Sequence, residues 1–408
     1  MTDRQAAERI ADAAERSYDF VCPPRILFGP GRVAEAGAVA GSLGRSCWLV
    51  AGGRAAVASG GRTAVEAAMA DSGLEVRVVA VTSGEPTVAQ VAEAFAALPR
   101  AGRQDAVIVA VGGGSTIDFA KALAAVAADA ADDEPPEQAV LDRLEGVGRG
   151  HALSRAPLPV VAIPTTAGTG AEATRNAVLS CPTRRFKKSM RSPLMVPRAA
   201  IVDPALSTTC SRSTTASSGL DAVTQLVESF ICRVHRPLPR ALVMEALPRA
   251  LRALPRVLAE PSDAAARADL AHAALVSGMA LTNSGLGMAH GVAAALGVEC
   301  GVAHGAACAL MLPVALRVNE PAVRADLASL ERVIDPAAAA HDAAAAASFI
   351  ARIEGLCDAA ETPRRLRDVG LARDRLPWLA ENSGGASMRG NPVPLDPAAL
   401  LPILEAAY

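Results

Sequence analysis

The sequence is poor in aromatic residues and has no excess of charge of either sign. Aromatic side chains make up 3% of its 408 residues, and 40 lysines and arginines stand against 42 aspartates and glutamates. This balance argues against a nucleic-acid or membrane-surface partner held by net charge. The eight cysteines form no CxxC pair, which is typical of reduced thiols in a cytoplasmic protein.

The sequence also lacks an uninterrupted apolar run of the length that a membrane span needs. Its most apolar segment, 285–316, is interrupted by glycines, His290, Glu299, His304 and Pro313. We therefore interpret this segment as buried core helices. The first 20 residues are charged and have no apolar centre of the kind found in secretory signals. We expect neither a membrane nor a nucleic acid as partner, but a small-molecule substrate.

Two kinds of pattern divide the chain near residue 205. Before it, short apolar runs alternate with alanine-rich helical stretches, which predicts an α/β domain with a parallel sheet. The predicted strands, apolar on both faces, are 47–53, 76–81, 106–114 and 158–166. After it, helical patterns continue to the end without a convincing strand. We predict an α/β domain at 1–204 and an all-helical domain at 205–408.

A glycine-rich turn is the strongest local signal of the first domain. In VAVGGGSTIDFAKALA, 109–124, three glycines end a strand and a helix starts at Ser115. Glycine lets the backbone approach a ligand, and a helix start offers N–H groups and a positive dipole end, which together hold a phosphate. The alternative is a tight turn that only needs glycine. A second loop, 163–179, also follows a strand, so both loops lie where parallel sheets bind ligands.

Two histidines and a carboxylate are candidates for a metal site. His290 and His304 lie in one very apolar segment, while Asp221 and Gln225, four residues apart on a predicted helix, point the same way. If the two regions meet, neutral imidazoles and a carboxylate would suit iron, zinc or a similar divalent ion. From the residues alone, satisfied core histidines are the alternative.

Six motifs follow one another along nearly the whole chain. They are FGPGRV (28–33), GGGSTIDFAKA (112–122), IPTTAGTGAEAT (163–174), IVDPAL (201–206), GLDAVTQLVES (219–229) and GLGMAHGVAAALG…VAHGAACALMLP (285–313). Together they resemble the iron-containing alcohol dehydrogenase family, whose branches include the maleylacetate reductases. The resemblance implies a dinucleotide-binding domain, a helical domain and a cleft between them. It also implies NAD(P)-dependent oxidation of alcohols or reduction of carbonyls.

The resemblance further implies which residues contact the cofactor. These are, for the pyrophosphate, Gly113, Gly114, Ser115 and the nearby Asp118, and, for the rest of the cofactor, Thr165, Thr166, Thr174 and Lys187. NAD-preferring dehydrogenases have an acidic residue after the second strand. This chain has Gly52, Gly53 and Arg54 there. We therefore predict that NADP(H) is preferred to NAD(H), with Arg54 near the 2′-phosphate; the alternative is that Arg54 is a solvated loop residue.

The family's metal ligands, one Asp and three His, are only partly matched. Asp221, His290 and His304 fit, but Gln225 stands where typical members have the remaining His, and Ala294 stands where a further His is common. Because an amide is a weak donor, the set either holds iron or zinc with lower affinity or is a retired site. We hypothesise well under one metal per chain. His290 or His304 would then act as the catalytic hydrogen-bond or proton donor.

We predict an oxidoreductase that transfers hydride between a nicotinamide and a carbonyl, imine or alcohol carbon, with or without a metal. One alternative is a lyase or cyclase of the dehydroquinate-synthase type. It is disfavoured because the sequence lacks the basic cluster near the metal that a phosphorylated substrate would need. The other alternative is a degenerate member that binds nucleotide without catalysis. Alanine-rich helices and the apolar segment suggest a homodimer.

Overall fold

The computed structural model of the chain describes residues 17–99, 101–131 and 133–408, without the side chains of residues 54 and 55. We interpret the first 20 residues as lacking a secretory signal. Most of them, residues 1–16, lie outside the described ranges. Within the described residues, an α/β half is followed by a helical half.

The strands lie before residue 205. They are β1 Ile26–Phe28, β2 Ser46–Gly52, β3 Val76–Thr82, β4 Ala106–Gly112, β5 Val160–Pro164, β6 Asn176–Cys181, β7 Phe186–Arg191 and β8 Ala199–Val202. β6 and β7 pair as an antiparallel hairpin, and the others form one parallel sheet in the order β1-β8-β5-β4-β2-β3. β4 is buried along its whole length, because its alternate side chains enter two separate cores, one on each face of the sheet. This explains its unbroken apolar run.

Helices cover the sheet and make up the second half. Those of the α/β half are α1 Ala36–Gly41, α2 Arg54–Ala58, α3 Gly61–Asp71, α4 Val88–Ala97, α5 Gly114–Asp129 and α6 Pro136–Leu141. Those of the helical half are α7 Arg212–Ile231, α8 Pro237–Ala259, α9 Ala264–Asn283, α10 Met288–Cys300, α11 His304–Ile334, α12 Asp342–Ala359, α13 Leu376–Asn382, α14 Ala386–Arg389 and α15 Pro397–Ala406.

The predicted fold class, a parallel α/β half followed by helices, is confirmed. Each of the four predicted strands is present, with ends within two residues of those expected. The predictions missed β1, β8 and the β6–β7 hairpin, and the helix expected to start at Ser115 begins one residue earlier, at Gly114. No strand follows Val202 among the described residues. The domain boundary at residues 204 and 205 stays a prediction.

The apolar segment 285–316 forms α10 and the beginning of α11. By length and composition α11 could cross a membrane, but 61% of its most apolar window is buried inside the protein. The core helix of a folded domain passes the same test of length and composition. Both helices contribute to a core that also includes α13 and α15, as the interpretation of the segment as core helices requires.

Candidate functional site

A cavity of about 440 Å³ receives side chains from both halves of the chain. From the α/β half it is lined by Gly114, Ser115, Asp118, Thr174 and Lys187, all of them predicted cofactor contacts. From the helical half it is lined by Gln225, His290, Ala294 and His304. The structure therefore brings the glycine-rich turn and the metal-ligand candidates to one place.

The glycine-rich turn presents the start of α5 to this cavity. Gly113 is the N-cap of α5, and no side chain caps the first turn. A Cβ on Gly114 would lie 2.3 Å from Oγ1 of Thr169, so only glycine lets the second loop pack against the helix start. An uncapped N-terminus of a 16-residue helix, facing a cavity, is the geometry that binds a phosphate.

Four other predicted cofactor contacts, Gly52, Gly113, Thr165 and Thr166, are not among the residues that line the cavity. A Cβ on Gly113 would lie 3.4 Å from Oγ1 of Thr166, and the backbone N–H of Thr165 donates to Gly112 at 2.9 Å. Gly52 ends β2 beside Gly112, whose Cα would be 3.2 Å from a Cβ added to Gly52. These residues shape the ligand edge of the sheet. Arg54 begins α2, but its side chain lies outside the described part of the structure.

Asp118 and Lys121, one turn apart on α5, form a buried ion pair at 3.0 Å. The Lys121 ammonium also donates to Oγ1 of Thr174 at 2.7 Å and to the carbonyl of Ala171 at 2.9 Å. Asp118 accepts the backbone N–H of Val178 at 3.0 Å, which ties β6 to α5. Burial lowers the pKa of Lys121. The sequence analysis did not identify this lysine, although its spacing of three residues from Asp118 predicts a shared helix face.

The cavity is also lined by charged groups that the sequence analysis missed, among them Arg191 of the β6–β7 hairpin. Lys187 forms an ion pair with Glu85 beside the cavity. The cavity is also lined by Glu145, Arg175, Asn176, Ser189, Arg191, Ser284 and Arg389. The expectation that no basic cluster stands near the metal-ligand candidates is therefore wrong for this cavity. Alternating burial along β6 is the signal that could have revealed the hairpin.

The metal-ligand candidates come together where three helices meet. Nε2 of His290, in the first turn of α10, lies 3.4 Å from Oδ1 of Asp221 on α7. Nε2 of His304, the first residue of α11, lies 3.9 Å from the same oxygen. A Cβ on Gly305 would lie 2.1 Å from the carbonyl oxygen of Ser217, so the missing side chain of this glycine lets α11 approach α7 one turn from Asp221.

Glu228 orients His290, and the sequence analysis missed it. Its Oε2 lies 2.7 Å from Nδ1 of His290, and its Oε1 accepts the backbone N–H of Ala289 at 2.7 Å. Nε2 of His290 and Oδ1 of Asp221 are both buried without a hydrogen-bond partner. Two orphaned donor atoms that face each other, with one ring fixed from behind, fit a metal ion. Glu228 follows Asp221 by seven residues, a spacing that predicts the same helix face.

Gln225 lines the cavity, and its Oε1 accepts a hydrogen bond from the hydroxyl of Ser277 at 3.0 Å. A different residue completes the cluster. Cys308 lies one turn after His304, with Sγ 3.7 Å from Nε2 of that histidine. Ligand atoms of Asp221, His290, His304 and Cys308 all lie within 4.8 Å of one another. The sequence analysis did not consider Cys308, although four residues after a ligand histidine is a ligand spacing.

The protonation of the cluster follows from burial and mutual charge. Burial raises the pKa of Cys308 to about 11 and lowers that of His304 to about 4. Burial by itself would raise the pKa of Asp221, but the neighbouring His290 and His304 lower the pKa of this carboxyl below its ordinary value. Burial by itself would lower the pKa of His290, but the neighbouring Cys308, Asp221 and Glu228 raise the pKa of this imidazole above its ordinary value. The raised pKa of His290 thus reflects its position between the two carboxylates Asp221 and Glu228.

Family models match both halves of the chain. The model named iron-containing alcohol dehydrogenase matches residues 23–204, and the model named Fe-containing alcohol dehydrogenase family, C-terminal, matches residues 215–408. The chain belongs to the iron-containing alcohol dehydrogenase family. It is 31% identical over 378 residues to a 1,3-propanediol dehydrogenase of Klebsiella pneumoniae, covering 90% of this chain and 92% of that enzyme.

Solved structures of this family match the whole described fold. A 1,3-propanediol oxidoreductase superposes with a TM-score of 0.86 at 28% identity, covering 96% of this chain and 100% of that one. The sulfoacetaldehyde reductase of Bifidobacterium kashiwanohense, solved with NAD⁺, gives 0.82 at 27% identity, covering 96% and 98%. The predictions of an iron-containing alcohol dehydrogenase fold and of a nicotinamide-dependent oxidoreductase of this type are confirmed. The lyase and the non-enzymatic alternatives receive no support.

Proposed function

We propose that the chain catalyses reversible hydride transfer between a nicotinamide cofactor and the carbonyl or alcohol carbon of a small molecule, assisted by a divalent metal. The observation that supports this proposal best is that the uncapped start of α5 and the buried cluster around Asp221 and His290 open into one cavity. The first feature fits a phosphate of the cofactor, and the second fits a group that polarises a substrate oxygen. A volume of about 440 Å³ suits a small ligand.

The cofactor would be held by the phosphate-binding turn. Gly113, Gly114 and Ser115 would contact the pyrophosphate through backbone N–H groups, because the start of α5 carries the positive end of the helix dipole. Lys187 balances charge beside them through its ion pair with Glu85. When bound, the nicotinamide supplies the hydride; the residues of the chain supply orientation and the electrostatic environment.

The metal would be held by Asp221, His290 and His304, with Glu228 fixing the ring of His290. When bound, a divalent ion acts as a Lewis acid on a carbonyl or alkoxide oxygen. His304 is 29% exposed to the cavity, whereas the side chains of Asp221 and His290 are 3% and 5% exposed. His304 is thus the ligand beside which a substrate oxygen would arrive. Because Cys308 is a further candidate donor, we propose one metal per chain; the low metal content expected from Gln225 is the alternative.

The preference for NADP(H) over NAD(H) is part of the proposal. Gly52 ends β2 where a carboxylate would accept the ribose hydroxyl of NAD and repel a phosphate. Arg54, two residues later, supplies a cation for that phosphate. We also propose that the protein is a cytoplasmic homodimer in which α7 to α15 form one domain and the parallel sheet the other.

The proposal is tested by following nicotinamide absorbance with purified protein, NADPH or NADH, and a panel of small aldehydes, ketones and imines. We expect aldehyde-dependent oxidation of NADPH, with a lower KM than for NADH. His290→Ala should remove the activity. His272→Ala is the matched control, because His272 pairs with Glu245 on the surface of the helical half. Equal loss in both variants, or oxidation independent of the added carbonyl, would contradict the proposal.

A further inference from the structure

We propose that Cys308 is the fourth protein ligand of the metal and that the site prefers zinc to iron. This proposal rests on the metal site of the proposed function and deepens it. The ligand set that the family resemblance implies is one Asp and three His. In this chain the cluster contains a thiol, Cys308, and an amide, Gln225, stands where typical members have a histidine. His304 and Cys308 stand four residues apart on α11, as Asp221 and Gln225 do on α7, so each helix turns two side chains to one spot.

The distances fit a tetrahedral ion. With metal bonds of about 2.0 Å to nitrogen and oxygen and about 2.3 Å to sulfur, the ligand atoms of a tetrahedral ion should lie roughly 3.3–3.5 Å apart. Nε2 of His290 is 3.4 Å from Oδ1 of Asp221. Sγ of Cys308 is 3.7 Å from Nε2 of His304, which is 3.9 Å from the same Asp221 oxygen. The remaining pairs of ligand atoms lie within 4.8 Å of one another, so the ligand atoms must move toward a bound ion to reach bonding distance.

The competing ligand, Gln225, is less suited. Its carbonyl oxygen accepts a hydrogen bond from Ser277 at 3.0 Å, and an amide oxygen is a poor donor for transition metals beside imidazole. Cys308 is fully buried, and its Sγ faces His304 and His290 of the cluster. Binding would transfer the thiol proton to solvent and leave a thiolate on the ion.

The donor set then decides the metal. Sulfur and imidazole nitrogen favour zinc, whereas iron in this family is held without sulfur. Zinc can take a fifth ligand, so four protein ligands do not close the site to a substrate. The chain would thus have kept the architecture of an iron site while changing its preferred ion.

Cobalt substitution tests this ligand directly in the full chain. Metal is removed by chelation, Co²⁺ is added, and the near-ultraviolet region is searched for a thiolate-to-cobalt charge-transfer band. We expect the band in the unaltered chain and in Cys47→Ala, a buried cysteine of β2, but not in Cys308→Ala or Cys308→Ser. Zinc affinity should fall at least about tenfold in both Cys308 variants, since even outer contacts of a metal site cost that much.

These outcomes separate the claim that Cys308 is a ligand from the claim that the site binds a metal. Cobalt bound by the unaltered chain without the band would overturn Cys308 as a ligand while leaving the metal site intact. No cobalt bound by any variant would overturn the metal site and this proposal with it. A Cys308→Ser protein with unchanged thermal unfolding, normal visible cobalt absorption and no charge-transfer band would support the proposal without reference to activity.

A second observation concerns the substrate: two arginines in the cavity form no ion pair among the described residues. Lys187 is paired with Glu85, and Arg191 with Glu145 at 2.7 Å. Nε of Arg175 is buried without a hydrogen-bond partner, and Arg389 forms no ion pair in the described structure. The cavity therefore carries unbalanced positive charge.

Both arginines flank the segment that leads into His290. Gly390, next to Arg389, lies so close to this segment that a Cβ on it would be 2.2 Å from the carbonyl oxygen of Leu286. Arg175 lies near Arg236, whose guanidinium donates to the carbonyl of Asn283 at 3.1 Å. Part of the positive charge thus stands next to the segment that leads into His290.

We infer that the substrate of the proposed reaction is an aldehyde or alcohol that carries an anionic group, such as a carboxylate, at its other end. Succinic semialdehyde and butanal, which have the same chain length, are suitable probes with NADPH. We expect a higher kcat/KM for the semialdehyde, and a loss of at least about tenfold in Arg175→Met and Arg389→Met with little change for butanal. Arg77→Met, on exposed β3, is the matched control.

Calorimetric binding of succinate to the cofactor-loaded protein makes this test independent of turnover. Succinate binding that is lost in the Arg175 and Arg389 variants supports the anion site even if neither aldehyde is reduced, an outcome that would count against the proposed function alone. Equal preference for both aldehydes, or variants that raise the KM of NADPH only, would overturn the anionic substrate, because the arginines would then serve the cofactor.

Discussion

Oε2 of Glu228 lies 2.7 Å from Nδ1 of His290, and this contact turns the opposite ring nitrogen toward Asp221. Glu228 also accepts the backbone N–H of Ala289 at the start of α10. One buried carboxylate thus fixes both the helix that carries the histidine and the rotation of its ring. Glu228 thus positions the metal-ligand residues although it is not a ligand itself.

Glu228→Gln should therefore weaken the metal site without abolishing it. The amide keeps the shape of the side chain but removes the negative charge behind the imidazole. We expect metal affinity to fall about 10- to 100-fold, the range seen for outer contacts of metal sites. Competition with a chelator of known affinity measures this. Unchanged metal affinity would show that Glu228 only caps α10.

Gly305→Ala should disrupt the approach of α11 to α7. The new Cβ would lie 2.1 Å from the carbonyl oxygen of Ser217, which is backbone and cannot rotate away. We expect unfolding to become easier by about 1–3 kcal/mol, as overpacking costs in cores, together with weaker metal binding. Gly355→Ala in α12 is the control, because a Cβ there meets nothing within 4 Å. It should be neutral or stabilising in denaturant unfolding.

Lys121→Met should be among the most destabilising single substitutions in the α/β half. It leaves the Asp118 carboxylate and the Thr174 hydroxyl without their buried partner. Breaking a buried pair on one side costs about 3–5 kcal/mol. Adding Asp118→Asn should restore part of this loss, because it removes the unpaired charge. Additive losses in the double variant would contradict the account of the pair.

Glu172 should make stability fall as the pH rises. Burial raises the pKa of Glu172 to about 7 from 4.5. The folded state then binds more protons than the unfolded state between these values, so the stabilisation is complete below about pH 4.5 and is lost by about pH 7. At 1.36 kcal/mol per pKa unit this amounts to at most about 3 kcal/mol. Glu172→Gln should remove this dependence in thermal unfolding across that range, and an unaltered slope would contradict it.

Features formed by residues close together in the sequence could be predicted, whereas contacts between distant segments were missed. The glycine-rich turn at 112–114, its strand and its helix follow from local spacing, as does the shared face of Asp221 and Gln225. Lys121 and Glu228 were predictable in part, from spacings of three and seven residues to Asp118 and Asp221. Their importance comes from partners on β6 and α10, far away in the chain.

The sequence analysis missed Cys308 and the β6–β7 hairpin for different reasons. A lone buried cysteine in an apolar helix packs like a small hydrophobic residue, and only the meeting of α7, α10 and α11 shows that its sulfur faces three ligand atoms. The short strands of the hairpin lie outside the main sheet, and apart from each other they form only isolated bridges, to Thr87 and Leu144. Sequence reasoning from the family ligands, which weighed Gln225 and Ala294, therefore did not include Cys308 among the candidate ligands.

A titration of activity against bound metal tests the central claim most directly. Chelated protein is loaded with increasing zinc, bound metal per chain is measured by elemental analysis, and aldehyde-dependent NADPH oxidation is recorded for each sample. We predict that activity is negligible without metal, rises in proportion to bound zinc and saturates at one ion per chain. Full activity in protein shown to contain no metal would contradict the account.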